Sequence, residues 1–180
     1  MGVKKEYGTN NVYLVGLMGA GKTTIGRSLA KRLGLDFVDS DREIEARTGV
    51  SIPTVFEIEG EEGFRKREAQ VIADLAGASG QVVATGGGVV LRAENRASMT
   101  SSGFVVYLNV PPYTLWERTR HDRNRPLLQV DDPLLKLKEL YALRDPFYRE
   151  VADLVIDGGR TNAHSLLHLI AEKVEERWKL

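Results

Sequence analysis

The amino-acid sequence predicts a single three-layer α/β domain built around a parallel sheet. Three observations carry that prediction. Short apolar runs at 12–15, 37–38, 81–84, 104–110 and 152–156 alternate with segments of helical spacing, as strands buried between helices do. The first run leads into a glycine-rich loop that opens a helix. The 180 residues, 42% apolar and 28% charged, suit one globular domain with a sizeable core, and no repeat or low-complexity linker divides them.

The loop is the most informative stretch. Residues 16–24 read GLMGAGKTT: Gly16, four residues, then Gly21-Lys22-Thr23. This is the phosphate-binding P-loop pattern. A triphosphate needs many donors close together with no bulky side chains in the way. Gly16, Gly19 and Gly21 let the backbone approach, and the amides of Gly19, Ala20, Gly21, Lys22, Thr23 and Thr24 form an anion-binding concavity at a helix N-terminus. Lys22 reaches the β- and γ-phosphate oxygens, and the Thr23 hydroxyl can serve Mg²⁺. The flanks agree with the motif. Val12-Tyr13-Leu14-Val15 reads as a buried strand, and 24–33 as a helix with Ile25, Leu29 and Leu33 on one face, stopped by Gly34.

Composition removes several alternatives. Lys plus Arg is 25 and Asp plus Glu is 25, so bulk charge gives no support for a nucleic-acid binder. There is no cysteine, which excludes disulfides, thiolate metal sites and cysteine nucleophiles. No apolar run approaches the roughly 20 residues that span a membrane. Residues 1–11 are polar, lack the apolar core of a secretory signal and are expected to form a loose leader. The cytoplasm is the default location.

In chain order, Phe37-Val38 ends a second strand and Asp39-Ser40-Asp41 follows it. Ligands of open α/β sheets bind beyond the carboxyl ends of strands, so these carboxylates can face a metal-bound nucleotide or a hydroxyl. Asp41 is also a candidate helix cap. A short helix at 43–48 stops at Gly49, and Ser51-Ile52-Pro53 caps and starts another. A bend is expected at Gly60 and Gly63, before a helix from Phe64-Arg65 to about residue 78. On residue type alone, Arg65 and Arg67 read as solvated charges.

The third strand, 81–84, runs into Thr85-Gly86-Gly87-Gly88, which makes sense where backbone must pass close to something. A helix at 93–99, the fourth strand and a helix at 113–118 follow. Residues 118–132, RTRHDRNRPLLQVDD, hold four arginines and little that could enter a core. A long irregular segment of this kind reads as a lid, and closure of an arginine-bearing lid suits phosphoryl transfer. Asp132-Pro133 starts a helix with Leu134, Leu137 and Tyr141 on one face, which Arg144-Asp145-Pro146 is expected to interrupt or kink. The fifth strand and a helix from Asn162 to Trp178 close the chain. His164 and His168, four apart on that helix, lack a third metal ligand and read as partly exposed helix residues.

Together these stretches resemble shikimate kinase. The resemblance rests on the P-loop GLMGAGKT, Asp39-Ser40-Asp41, Phe64-Arg65, Gly86-Gly87-Gly88, Arg125-Pro126-Leu127-Leu128 and Tyr141-x-x-Arg144-x-Pro146-x-Tyr148, in the right order from about residue 12 to 156. It implies a P-loop kinase fold with strand order 2-3-1-4-5, a substrate-binding segment at about 50–78 and a lid at about 118–132. It implies transfer of the γ-phosphate of ATP to the 3-hydroxyl of shikimate, with Mg²⁺, by a monomer that needs neither nucleic acid nor membrane.

The resemblance further implies that Lys22 binds the β- and γ-phosphates, with Thr23 and Asp39 at the metal. Asp41 would orient or deprotonate the attacking hydroxyl, Arg65 and Arg144 would clamp the shikimate carboxylate, and Gly87 and Gly88 would present backbone to the substrate. Arg125 would be the lid arginine near the transferring phosphate, and Arg118 and Arg160 would lie on the adenine side. Phe56 and Phe64 would line the substrate-binding segment. Two rival expectations stand beside this one: a gluconate or nucleoside monophosphate kinase, and a nucleotide-dependent switch without an acceptor.

Overall fold

A computed structural model describes residues 10–159 and 162–179. Five strands form one sheet in the order β2-β3-β1-β4-β5: β1 (Asn11–Val15), β2 (Asp36–Asp39), β3 (Gln81–Ala84), β4 (Gly103–Asn109) and β5 (Leu154–Asp157). Every pairing is parallel, with Leu14 at the centre set between Ala84 and Val106. β1 and β3 are buried along their whole length. That explains why their sequences are near-continuous apolar runs rather than alternating ones. Asn11 was expected to end the loose leader. It is instead the fully buried first residue of β1, and its side-chain amide donates to the Ala78 carbonyl at 2.9 Å. Residues 1–9 of that leader lie outside the described residues.

Helices flank the sheet: α1 (Lys22–Leu33) packs on α7 (Ala163–Trp178), while α4 (Ala93–Ser102) and α6 (Pro133–Val151) both pack on β4. α5 (Pro112–Thr119) lies against α6. α2 (Ser40–Thr48) and α3 (Ile52–Ala76) pack on one another beyond β2. α3 joins the two helices expected on either side of the glycines. Its bend is at Gly60, whose φ of 70° and ψ of −178° break the helical geometry. That left-handed φ is open to glycine at little cost. Gly63 carries none of the bend.

Arg144-Asp145-Pro146 was expected to interrupt or kink α6; it does not interrupt it, and the helix runs through Pro146 to Val151. Ala142, whose carbonyl loses the amide that Pro146 lacks, is exposed, as is Pro146. Solvent can therefore serve the freed carbonyl. The inward face of α6 is Leu137, Leu140, Arg144, Tyr148 and Val151, a spacing of three and four that carries an arginine inward with the apolar residues. Leu134 and Tyr141 lie only partly buried at its margin. No helix among the described residues is long and apolar enough to cross a membrane.

Candidate active site

The loops at the carboxyl edge of β1, β2 and β3 converge with α3, α6 and the segment between α5 and α6. In the first loop Gly16, Gly19 and Gly21 take positive φ, at 148°, 83° and 97°. Gly21 is the N-cap of α1, and no side chain caps that helix. Its first amides are thus free for an anion. Gly19, Ala20, Gly21, Lys22, Thr23 and Thr24 all line a polar pocket. Lys22 is buried, and its Nζ donates to the carbonyls of Gly16 and of Leu17, the latter at 3.0 Å. Burial, aided by the Arg125 charge, draws its pKa down to about 7, against the pull of Asp41 and Asp39. A polyanion in this pocket stabilises the ammonium form.

The two carboxylates after β2 do different work. Asp39, not Asp41, caps α2: its Oδ1 accepts from the amides of Asp41 and Arg42 at 3.0 and 3.2 Å. The helix begins at Ser40, two residues earlier than a cap at Asp41 allows. The other Asp39 oxygen accepts from the Thr23 hydroxyl at 2.9 Å. This pair of hard oxygen donors beside the anion-binding amides fits Mg²⁺. That ion keeps water and phosphate oxygens in its shell and needs few protein ligands. No cluster of three or more His, Asp or Glu side chains that could hold a metal occurs among the described residues. His164 and His168 are both exposed on α7, with His168 Nδ1 3.0 Å from Arg32.

Freed from capping, Asp41 turns inward. Its Oδ1 is buried and has no hydrogen-bond partner. Burial first, and Asp39 second, push its pKa above the ordinary carboxylate value, while Lys22, Arg125 and Arg65 oppose the shift. Asp41 lines a second, smaller pocket with Phe56, Phe64, Arg65, Glu68, Gly86, Gly87, Gly88, Arg125 and Arg144. Gly86 and Gly88 are there for want of room. A Cβ on Gly86 would stand 2.7 Å from Asp41 Oδ1 and 2.9 Å from Glu68 Oε2, and one on Gly88 would land on the Arg65 guanidinium. Phe56 and Phe64 pack with ring centroids 4.8 Å apart and close the apolar side.

Arg65 and Arg144 are not the solvated charges that residue type suggests for Arg65; both are buried. Nε of each, and Nη1 of Arg144, have no hydrogen-bond partner. Two buried guanidinium groups with unused donors make a receptor for a carboxylate. Arg67, by contrast, is exposed and pairs with Glu59 across the Gly60 bend.

Glu68 escaped sequence reasoning. It is fully buried, and its Oε1 accepts from Arg65 Nη1 at 2.8 Å. Its i+3 spacing from Arg65 is the signal that could have found it. Burial raises its pKa to about 7, with Arg65 and Arg144 opposing and Asp41 adding to the shift. A raised folded-state pKa favours the protonated form. The stability this confers is complete below the unfolded value near 4.5 and is lost as pH rises through about 7. Glu68→Gln should therefore gain in melting temperature relative to wild type between pH 5 and pH 8. The differential is on the order of 1–3 kcal/mol, and melts at both pH values give it; a constant difference contradicts it.

The two pockets share Met18, Asp41, Ile52, Gly86, Gly87, Asn124 and Arg125. Met18, Ile52, Gly86 and Asn124 fall in stretches read as functional but were given no role of their own, and the same holds for Ser40, whose buried hydroxyl accepts from the Gly86 amide at 3.1 Å and ties α2 to the glycine loop. Of the expected lid 118–132, Arg118 and Thr119 finish α5, and the rest is irregular except for a short 3-10 turn at Pro126–Leu128. Asn124, Arg125, Pro126 and Leu127 wall the smaller pocket. Arg125 Nε pairs with Asp122 at 3.1 Å. Arg118 is exposed on α5 and donates to the Gly19 carbonyl at 3.1 Å, on the phosphate-loop side. Arg160 lies outside the described residues. The arrangement can hold a polyphosphate on one side and a small anionic acceptor on the other, with a carboxylate and a guanidinium where they meet.

Comparison with known proteins agrees with that geometry. The shikimate kinase family model matches residues 18–175. A shikimate kinase from Dechloromonas aromatica is 62% identical over 160 residues, which are 89% of this chain and 87% of that protein. One from Aromatoleum aromaticum is 58% identical over 91% of this chain and 94% of its own length. The solved structure of shikimate kinase from Acinetobacter baumannii in complex with shikimate superposes with a TM-score of 0.91 at 48% identity, covering 94% of each chain. With its sheet order, its phosphate loop and matches over nearly its whole length, the chain belongs to the shikimate kinase family.

Proposed function

We propose that the two joined pockets perform one reaction, transfer of the γ-phosphate of ATP to the 3-hydroxyl of shikimate. The observation that carries this reading is their junction. Asp41 and Arg125 belong to both the phosphate-loop pocket and the pocket of Arg65 and Arg144. An acceptor hydroxyl and a terminal phosphate brought there would meet in line.

Each residue's part follows from where it sits. Amides of residues 19–24 and the Lys22 ammonium take the β- and γ-phosphates. Thr23 and Asp39 would hold Mg²⁺, which would supply charge neutralisation at the phosphate oxygens. Arg65 and Arg144 receive the shikimate carboxylate at the far end of the smaller pocket, with Gly87 and Gly88 along its side. That fixes which hydroxyl lies at Asp41. The carboxylate of Asp41 accepts a hydrogen bond from the 3-hydroxyl and takes its proton as the oxygen–phosphorus bond forms. The bond from phosphorus to the bridging oxygen breaks and ADP leaves with the electron pair. Its raised proton affinity suits a base for an alcohol. Arg125 adds positive charge to the transferring group, and the wall from Asn124 to Leu127 keeps water from competing with the hydroxyl. Arg118 belongs to the adenine side. We place the enzyme in the cytoplasm, as a monomer acting on small molecules.

The test is ADP release with MgATP in the presence of shikimate, gluconate or nucleoside monophosphates. Stimulation by shikimate alone is expected. Stimulation by another acceptor instead would overturn the assignments of Asp41, Arg65 and Arg144 while leaving the phosphate loop intact, and no stimulation would favour a nucleotide switch.

A further inference from the structure

Tyr148 is fully buried on α6 and does not line either pocket, yet its hydroxyl touches both walls of the smaller one. It donates to the Gly87 carbonyl on the glycine loop. It also lies against the Arg144 guanidinium, one turn earlier on the same helix. A phenol can give a hydrogen bond to a carbonyl and receive one from a guanidinium through a single oxygen. The carbonyl and the guanidinium belong to elements far apart in sequence, and this oxygen joins them.

The ring of Tyr148 is itself held. It packs on Tyr107 of β4 with centroids 4.9 Å apart. The Tyr107 hydroxyl donates to Asp145 at 2.8 Å, with Asn109 Oδ1 3.2 Å from it. Asn109 also accepts from Tyr141 at 2.9 Å and donates to Asp157 of β5 at 2.9 Å. Ring packing on this β4 residue braces the side chain that reaches Gly87 and Arg144.

We propose that Tyr148 is a positioning residue for the carboxylate end of the acceptor pocket. Its hydroxyl holds the Arg144 guanidinium and the Gly87 carbonyl at one separation, so the receptor is formed before an anionic acid enters. The inference rests on the reading that this pocket receives shikimate. A preformed guanidinium saves the ligand the cost of ordering it. Loss of the hydroxyl leaves the Gly87 carbonyl without its donor and Arg144 without its brace.

Tyr148→Phe keeps the ring and its packing on Tyr107, and a single cooperative melt is expected. Its shikimate KM should rise roughly 5- to 20-fold, with kcat within about twofold and ATP KM unchanged. Tyr107→Phe is the comparison: it keeps the ring on which Tyr148 packs and removes a hydroxyl that reaches neither Gly87 nor Arg144, so its shikimate KM should stay within about twofold. In an Arg144→Lys background the Tyr148→Phe effect should shrink, because the hydroxyl acts through the guanidinium. An unchanged shikimate KM in Tyr148→Phe, an equal rise in Tyr107→Phe, or a matching rise in ATP KM overturns the positioning role. If wild type shows no shikimate-stimulated turnover, the pocket reading fails first and the role falls with it.

Discussion

Asp41→Asn is expected to lower kcat by about 10²- to 10⁴-fold while MgATP binds as tightly as to wild type. The magnitude follows from what the side chain does elsewhere in the fold, which is nothing. Asp39 caps α2 and pairs with Thr23, so Asp41 supports neither the helix nor the metal pair. Its buried Oδ1 has no protein partner and faces the junction of the two pockets. The amide is isosteric and fits beside Gly86, but it has lost the proton affinity that burial and Asp39 confer on the acid. A steady-state titration in ATP and in shikimate, with nucleotide binding measured by calorimetry, separates the outcomes. Normal kcat would remove Asp41 from proton transfer. A fall in ATP affinity equal to the fall in kcat would mean that the carboxylate works on the nucleotide side.

The phosphate side of the site was legible in the sequence and the acceptor side much less so. Phosphate binding uses backbone amides, which require glycines and a lysine at fixed spacing, and the strand and helix around them are local features. Lys22 and Thr23 accordingly line the polar pocket at the start of α1. The division of labour between Asp39 and Asp41 was not legible, because both stand at the start of one helix and only the position of its first turn decides which one caps it. The acceptor pocket depends on the phase of two helices. In α3 that phase is reset by the left-handed Gly60, so whether Arg65 and Glu68 point inward cannot be read from spacing alone across the bend. In α6 the passage of the helix through Pro146 carries Tyr148 onto the same face as Arg144. Sequence periodicity marks apolar positions as buried. It gives no sign of a buried arginine, and residue type alone left Arg65 on the surface. The family resemblance placed Arg65 and Arg144 together because it carried information about partners distant in the chain.

Arg144→Ala is the stronger test of the acceptor pocket, with shikimate KM expected to rise about 10²- to 10³-fold and ATP KM to change no more than a few-fold. Removing one partner of a buried charge pair costs about 3–5 kcal/mol, mostly because the other charge is left unpaired in a low dielectric. Arg144 is 2% exposed, and neither its Nε nor its Nη1 has a partner in the protein. The other guanidinium at that end, Arg65, is already engaged by Glu68 at 2.8 Å and replaces Arg144 poorly. That engagement makes the two arginines unequal. Arg65 arrives with its charge partly answered, whereas burial first, and the Arg65 charge after it, lower the proton affinity of Arg144, and the largest opposing influence is the Tyr148 phenol. An anion is thus worth more to Arg144 than to Arg65, and Arg144→Ala should exceed Arg65→Ala in its effect on shikimate KM. Arg144→Lys should recover little, since an ammonium lacks the planar fork that a carboxylate meets with two bonds. Equal rises in the KM of shikimate and ATP would count against a carboxylate receptor. They would place Arg144 in a role that serves both pockets, as a general support of the glycine loop through Tyr148 and Gly87.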